Sequence, residues 1–340
     1  MTTMLPRIHL RRSGAQHIQR IALLARNVAV ALACVLVLAL LLALAAGSAD
    51  ARTPAAIPVS GVVSIADGGP FTIIRQSAVY SGSKGVAVQS GDFIETQPGT
   101  LLVIGLTGGS LLGIGPSSQV YILQRAEIPT LVVLRGWVKA DIRGSAAVPA
   151  LRVIGTRLGI QSQQAVVLIH AANDRDALFD EQGSATLLLR EEAATRTDRL
   201  TQPNQFWVRA DRDLVMTQKR PSTDFLADMP PAFRDSLPEQ TTAQSQKPVE
   251  ARQVRDVTYA DIQSWLAIPH DWRSGFIARF RGRLKDPVFA ASLDAHLTQF
   301  PEWVPILHPP PPPDEDELPA AAQPAPQRSA EATPAAATPH

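Results

Sequence analysis

From Ser60 to Arg190 short apolar runs alternate with glycine- and proline-bearing breaks, spaced by roughly ten residues. FTIIR, DFIET, TLLVIGL, QVYILQR, TLVVLRG, AVVLIH and ATLLLR are the clearest runs. Asp67-Gly68-Gly69-Pro70, Ser90-Gly91-Asp92, Pro98-Gly99 and Gly108-Gly109 are the clearest breaks. This texture predicts a mainly β protein with an all-β, elongated, solenoid-like sheet domain over residues 59–190. In residues 119–124, Val120 and Ile122 fall on one face of a strand and Tyr121 and Leu123 on the other, so both faces carry apolar cover. Leu131, Val133, Trp137 and Val138 suggest a core hairpin near Gly136. No window here has helical spacing over three turns.

The pattern then changes. Residues 191–256 are polar and broken by proline, which predicts a linker with one short strand around Phe206, Trp207 and Val208. Phe225, Leu226, Met229 and Phe233 form an apolar patch expected to pack back on the β body. Residues 257–307 read as a small helical region. Trp272, Phe276, Phe280 and Leu284 recur every fourth residue with Ile277 beside them, and arginines 273, 279, 281 and 283 take the other face. Asp286-Pro287 reads as an N-cap with proline at the first helical position, and Phe289, Leu293 and Leu297 supply the next stripe. Tyr259, Ile262, Trp265 and Leu266 form an earlier one. Three helices packing their stripes together is the expectation, a partner-binding face the alternative. Residues 308–340 hold five consecutive prolines, an acidic run and an Ala/Pro/Thr tail. Such a segment is expected to be disordered or polyproline II, with a proline-groove ligand as the alternative.

The N-terminus stands apart. Val28 to Ala46 is apolar on every face and uncharged. As a helix it would be about 28 Å long, close to a bilayer core of about 30 Å. Before it come Arg7, Arg11, Arg12, Arg20 and Arg26 and no acid. That asymmetry predicts a cytoplasmic leader over residues 1–26, a transmembrane or signal segment over 27–48, a linker over 49–58, and an exported body. Ala49 and Ala51 would suit cleavage after Ala51, while the length of the apolar segment suits an uncleaved anchor. The expected location is a bacterial inner membrane with a periplasmic body, or the periplasm if the leader is removed. Net charge is +1, and outside the leader 27 basic residues face 31 acidic ones, so nothing points to nucleic acid. The single cysteine, Cys34, lies within the apolar segment.

Catalytic and cofactor signatures are missing. The seven histidines are scattered without metal-ligand spacing. Asn173, Asp174, Asp176, Asp180 and Glu181 lack the spacing of a calcium loop and read as a solvated turn. Gly113 and Gly115 read as turn glycines, since no helix follows them. No catalytic, cofactor-binding or metal-ligating residue is predicted, and no cofactor.

The β region resembles a FecR domain. The residues that carry the resemblance are Gly61-Val62-Val63, Arg75, and Gly91, Asp92, Ile94 and Thr96 with Gly99. Pro116, Ser117 and Val120 follow, then Leu134, Gly136 and Val138, and finally Gly155 and Thr156. The likeness spans about residues 59–190. The segments around Phe225–Pro238 and Tyr259–Leu307 look like extensions of stand-alone FecR-domain proteins. In that family the best-known members are inner-membrane regulators whose cytoplasmic domain binds a sigma factor and whose periplasmic domain receives a signal. Here only about 26 residues precede the apolar segment, too few for a packed sigma-binding domain. The resemblance therefore implies a non-enzymatic envelope protein with a binding, scaffold or sensory role, engaging an envelope protein or polysaccharide. It would touch the membrane through residues 28–46. A transmembrane regulator of the anti-sigma type is the alternative, and a polysaccharide-acting enzyme using Asp92, Glu95 or Asp141 a distant third.

Overall fold

A computed structural model describes residues 60–310 except 124–127, 145–149, 192–193, 211–213 and 240–247. The expected leader, apolar segment and proline-rich tail lie outside the described residues. Among those described, no helix is long and apolar enough to cross a membrane.

The described chain is mainly β, as its alternation predicts, with sixteen strands in one mixed sheet. Short strands come first: β1 (Ser60–Asp67), β2 (Phe71–Arg75), β3 (Ala78–Gly82), β4 (Ala87–Gln89), β5 (Phe93–Thr96), β6 (Leu101–Leu106), β7 (Leu111–Ile114) and β8 (Gln119–Ile122). Three longer strands follow, β9 (Thr130–Arg143), β11 (Leu158–Ala171) and β12 (Arg175–Glu191), with the short β10 (Leu151–Ile154) between the first two. β13 (Ala194–Leu200), β14 (Gln205–Ala210), β15 (Met216–Gln218) and β16 (Arg252–Asp256) complete the sheet.

β9 is the junction. Its first half pairs with β8 and, in parallel, with β10; its second half pairs with β7 and β11. Leu131 and Val133 face the main core before the change of partner, and Val138, Ala140 and Ile142 face it afterwards. The inward positions thus switch from odd to even. The extra residue is taken up at Gly136, where φ is 89° and the register with β8 shifts. β11 and β12 switch the other way, from even to odd: Ile160 then Val167 and Ile169, Leu178 then Leu187 and Leu189, with register shifts between. A bulge moves the phase of the strand by one, so each long strand keeps an apolar face on the core along its whole length.

The outer faces are covered by the C-terminal half of the chain. Residues 191–256 depart from the linker expectation, since they hold four strands, helix α1 (Thr223–Asp228) and a 3-10 turn at Pro231–Phe233. Their strands are short or exposed, and β16 is exposed throughout, so hydropathy alone does not mark them. The patch does pack back: Phe225, Met229, Phe233 and Leu237 cover Val103, Trp137, Leu168 and Phe206. Leu226 instead points to solvent, 46% exposed. Lys139, 1% exposed, fastens this segment by donating to the carbonyls of Phe233 (3.0 Å) and Asp235 (2.9 Å) while pairing with Glu181 at 2.7 Å. Gly113 and Gly115 are not turn residues. A Cβ on Gly113 would sit 2.8 Å from Phe233 and Leu237, and one on Gly115 2.9 Å from Trp137, so both make room for the returning patch.

Over the other outer face lie α2 (Tyr259–Leu266), α3 (His270–Arg273), α4 (Phe276–Phe280), a 3-10 segment at Arg281–Lys285, α5 (Pro287–Asp294), a 3-10 turn at Pro301–Trp303, and α6 (Val304–Leu307). Asp286 caps α5 as predicted, accepting from the N–H of Val288 at 3.0 Å and of Phe289 at 3.4 Å. The stripe from Trp272 to Leu284 is not one helix. It breaks at Ser274-Gly275 and turns 3-10 after Phe280, where Gly282 weakens the helix. Nor do the helices bury their stripes only in one another. Trp265, Phe276 and Phe280 pack on Phe93 and Tyr121 of the sheet, with Trp265 stacked on Phe93 at 4.5 Å. Arg279 leaves the outward face expected of it. Its guanidinium lies 4.1 Å over the Phe93 ring and donates to the carbonyls of Ile74 (2.8 Å), Gln76 (2.6 Å) and Gly91 (2.7 Å). Those turn carbonyls need donors and a planar fork with five N–H groups supplies them. Burial holds the pKa of Arg279 down to about 10.

Candidate functional site

At one end of the β body the β5–β6 turn (Gln97, Pro98), the β7–β8 turn (Pro116, Ser117), the bulge at Gly136 and the β11–β12 hairpin (Ala171–Asn173) converge on a cleft of about 590 Å³. Its walls also include Glu95, Gln119, Arg135, Trp137 and His170. That volume falls within the range of small-ligand sites, about 300–1,000 Å³.

Local bonding explains why the cleft holds its shape. Thr96 donates through Oγ1 to the Gly115 carbonyl at 2.6 Å and accepts from the Ser118 N–H at 2.8 Å, pinning the Pro116–Ser118 turn to the end of β5. Ser118 Oγ accepts from the Trp137 N–H at 2.9 Å, standing in for the strand partner that the bulge removes. A Cβ on Gly136 would lie 2.3 Å from that oxygen, so glycine is required there for space as well as for its positive φ. The serine that holds this turn is therefore Ser118 and not the Ser117 singled out from the sequence. Ser117 sits at the exposed turn with φ of 51°.

The polar groups differ in how far they are committed. Glu95 Oε1 accepts from Gln119 Nε2 at 2.7 Å and from Trp265 Nε1 at 3.0 Å, while Oε2 has no protein donor among the described residues. Burial raises the pKa of Glu95 against these two bonds. His170 stacks on Trp137 at 4.2 Å, the two rings nearly parallel at 7°, and burial lowers its pKa. Arg135, Gln97 and Asn173 are exposed at the mouth. Among the described residues no serine or threonine of the cleft is hydrogen-bonded to a histidine or carboxylate side chain.

The other motif residues lie elsewhere. Gly91 and Asp92 sit at the far end of β5, where buried Asp92 accepts from Arg75 through both carboxylate oxygens (2.8 and 2.7 Å) and from the Gln89 N–H at 2.9 Å. Gly91 has φ of 95° and Gly99 of 83°, both in turns. Ile94, Val120 and Val138 belong to the main core, and Leu134 packs under the helices. Gly155 and Thr156 lie against Asp176, which is fully buried. The acidic stretch is thus a solvated turn at Asn173 and Asp174 but not at Asp176 and Asp180. Asp176 accepts from the N–H of Arg157 (2.6 Å) and Leu158 (2.9 Å), and burial still raises its pKa. Asp180 is also fully buried, bonded to the Thr201 hydroxyl, with its pKa raised to about 6 by burial. Charge spacing hid this, because both acids fall on covered faces of a strand. Among the described residues no group of three or more His, Cys, Asp or Glu is placed to hold a metal ion.

Sequence reasoning brought Thr96, Pro116, Ser117 and Gly136 to the cleft without grouping them, and it missed Arg135, Gln97 and Asn173. For Arg135 and Gln97 the only available signal was position, one or two residues from a turn glycine, proline or motif residue, while Asn173 reads only as part of a solvated turn. A larger groove of about 1400 Å³ is lined by described residues that include Arg143, Gln161–Val166 and Arg234–Leu237.

No protein-family model matches the chain, and no curated protein matches it. Two solved structures of a proposed anti-sigma factor from Parabacteroides distasonis are similar to part of it, at 11% and 10% identity over 40% of this chain, each with a TM-score of 0.34. The chain spans 63% and 62% of the length of those two structures. At that TM-score the likeness carries no functional weight.

Proposed function

We propose that this chain is a non-enzymatic binding protein of the bacterial cell envelope, its β body outside the cytoplasm in a sensory or scaffolding role. One observation carries the reading. Several buried ionisable groups of the β body are tied up in holding it together, while the cleft built by four separate turns and bends keeps uncommitted polar groups at its mouth. Asp92 is bound by Arg75, Asp176 by backbone N–H groups, and Lys139 by Glu181 and two carbonyls. Export rests on the arginine-led apolar segment before residue 49. The test is recovery of a partner from envelope extracts by the full-length chain, compared with a variant whose cleft is filled by Gln97→Trp. Capture by the wild type and loss in the variant supports the reading. Equal capture by both moves the binding surface off the cleft, and no capture by either counts against binding altogether.

A second reading, a transmembrane signal regulator, draws on the FecR-like motifs. Under it, deleting residues 1–20 with export preserved changes transcription of the regulated genes; unchanged transcription counts against it.

A further inference from the structure

We infer that the cleft takes an acidic saccharide, a hydroxyl-rich ligand whose carboxylate is met by Arg135; this rests on the reading of the chain as a binding protein. Three observations lead there. Arg135 is the only cation lining the cleft that carries a permanent charge; it is exposed and makes no ion pair among the described residues. A guanidinium presents paired N–H groups that fit a carboxylate in two parallel bonds. The only acid in the lining, Glu95, feels the positive charge of Arg135 but makes no ion pair with it among the described residues, and its Oε1 is shared by Gln119 and Trp265.

The second observation is the kind of polar group around that cation. Gln97, Asn173 and the open Oε2 of Glu95 are planar amide and carboxylate groups. Each amide offers a donor and an acceptor in one plane, the spacing that adjacent hydroxyls on a sugar ring present, and Glu95 adds one open acceptor oxygen. The third is the floor. The part-exposed His170 ring, backed by the buried Trp137, lines one side of the cleft, and sugar rings carry C–H faces that pack against such flat groups. A purely anionic ligand would need more cations than one, and an apolar ligand would leave these groups without partners. A volume of about 590 Å³ admits one or two sugar rings and not a folded domain.

The full-length chain, held in a detergent without a sugar headgroup, is titrated calorimetrically with oligogalacturonate, with its neutral methyl ester, and with poly-glutamate of similar charge. Arg135→Gln and Gln97→Trp are titrated alongside, with circular dichroism to confirm that both fold. The expected result is saturable binding of oligogalacturonate, at least tenfold weaker binding of the ester, a tenfold or greater loss in Arg135→Gln, and loss of binding in Gln97→Trp. Equal affinity for acid and ester, or an unchanged Arg135→Gln, overturns the role given to the carboxylate. Equal or tighter binding of poly-glutamate overturns the saccharide. No binding of the acidic sugar overturns the inference. If the wild type then still captures an envelope partner that Gln97→Trp loses, the binding reading survives without it. If that capture also fails, both fall.

Discussion

The inner and outer faces of the sheet are held by different kinds of sequence. The inner core, from Val63 and Ile73 through Ile122, Leu131 and Ile169, is built by strands that alternate within a few residues of one another. The outer faces are covered by side chains arriving from far along the chain. Phe233 and Leu237 lie over Gly113, while Phe276, Phe280 and Trp265 lie over Phe93. Local alternation is enough for the first. The second needs residues such as Arg279 and Lys139, which tie segments to strands about 95 to 205 residues earlier. A β sheet apolar on both sides is a demand for two covers, and here both are supplied from one direction in the chain.

The comparison breaks most directly at Phe280, which is fully buried between the helices and the sheet. Phe280→Ala should cost about 3–5 kcal/mol, read from urea unfolding. An unchanged midpoint combined with loss of partner capture would mean that this face serves a partner and not the core. Next in size is the pH dependence of Asp180. Its pKa rises from 3.8 to about 6 on folding because burial disfavours the charge. The folded state therefore holds its proton more tightly, and this contribution to stability is full below about pH 4 and lost as pH rises toward 6. The loss amounts to about 2–3 kcal/mol. When protonated, Asp180 can donate to Thr201, which itself donates to the Ala185 carbonyl at 3.1 Å. Asp180→Asn should flatten the difference in stability between pH 4.5 and 7, while the raised pKa values of Asp176 and Glu95 continue to act in the same sense.

Smaller effects sharpen the contrast. Gly136→Ala forces a side chain onto positive φ and against Ser118, and should cost about 1–2 kcal/mol. The loss should be seen equally in thermal unfolding and in a narrowed cleft by amide exchange around Ser118 and Trp137. Arg281 remains exposed, as the sequence pattern places it, and Arg281→Ala should change stability by less than about 0.5 kcal/mol. A larger loss would show that the outer surface of the helices is itself engaged.

Legibility in the sequence follows the same division. Val120 with Ile122, and Tyr121 with Leu123, lie on the two faces their alternation assigns, because a strand's period of two is local. The turn glycines at 91 and 99 also declare themselves, as positive φ leaves few other residues eligible, whereas the hairpin expected near Gly136 is instead a bulge within the continuous strand β9. β13, β15 and β16 do not, since edge strands need no apolar face to pair. The bulges at Gly136 and in β11 and β12 are invisible for another reason: a switch of phase looks like ordinary irregularity until the core shows which side is inward. The cleft was the least legible part. Thr96 and Gly136 are visible as motif residues while Ser118 was passed over for Ser117, yet what they build is a wall, and the groups that wall leaves open come from loops with no pattern.

The clasp made by Arg279 also sets an order of events. Its carbonyl partner at Gly91 is made 188 residues earlier, which at about 5–20 residues per second is roughly 10–40 seconds of synthesis. Throughout that interval Phe93 and Tyr121 have a strand to sit on and nothing above them. A chain that emerges in this order spends its youth with an adhesive side, and whatever escorts it must shield that side until its own last hundred residues arrive.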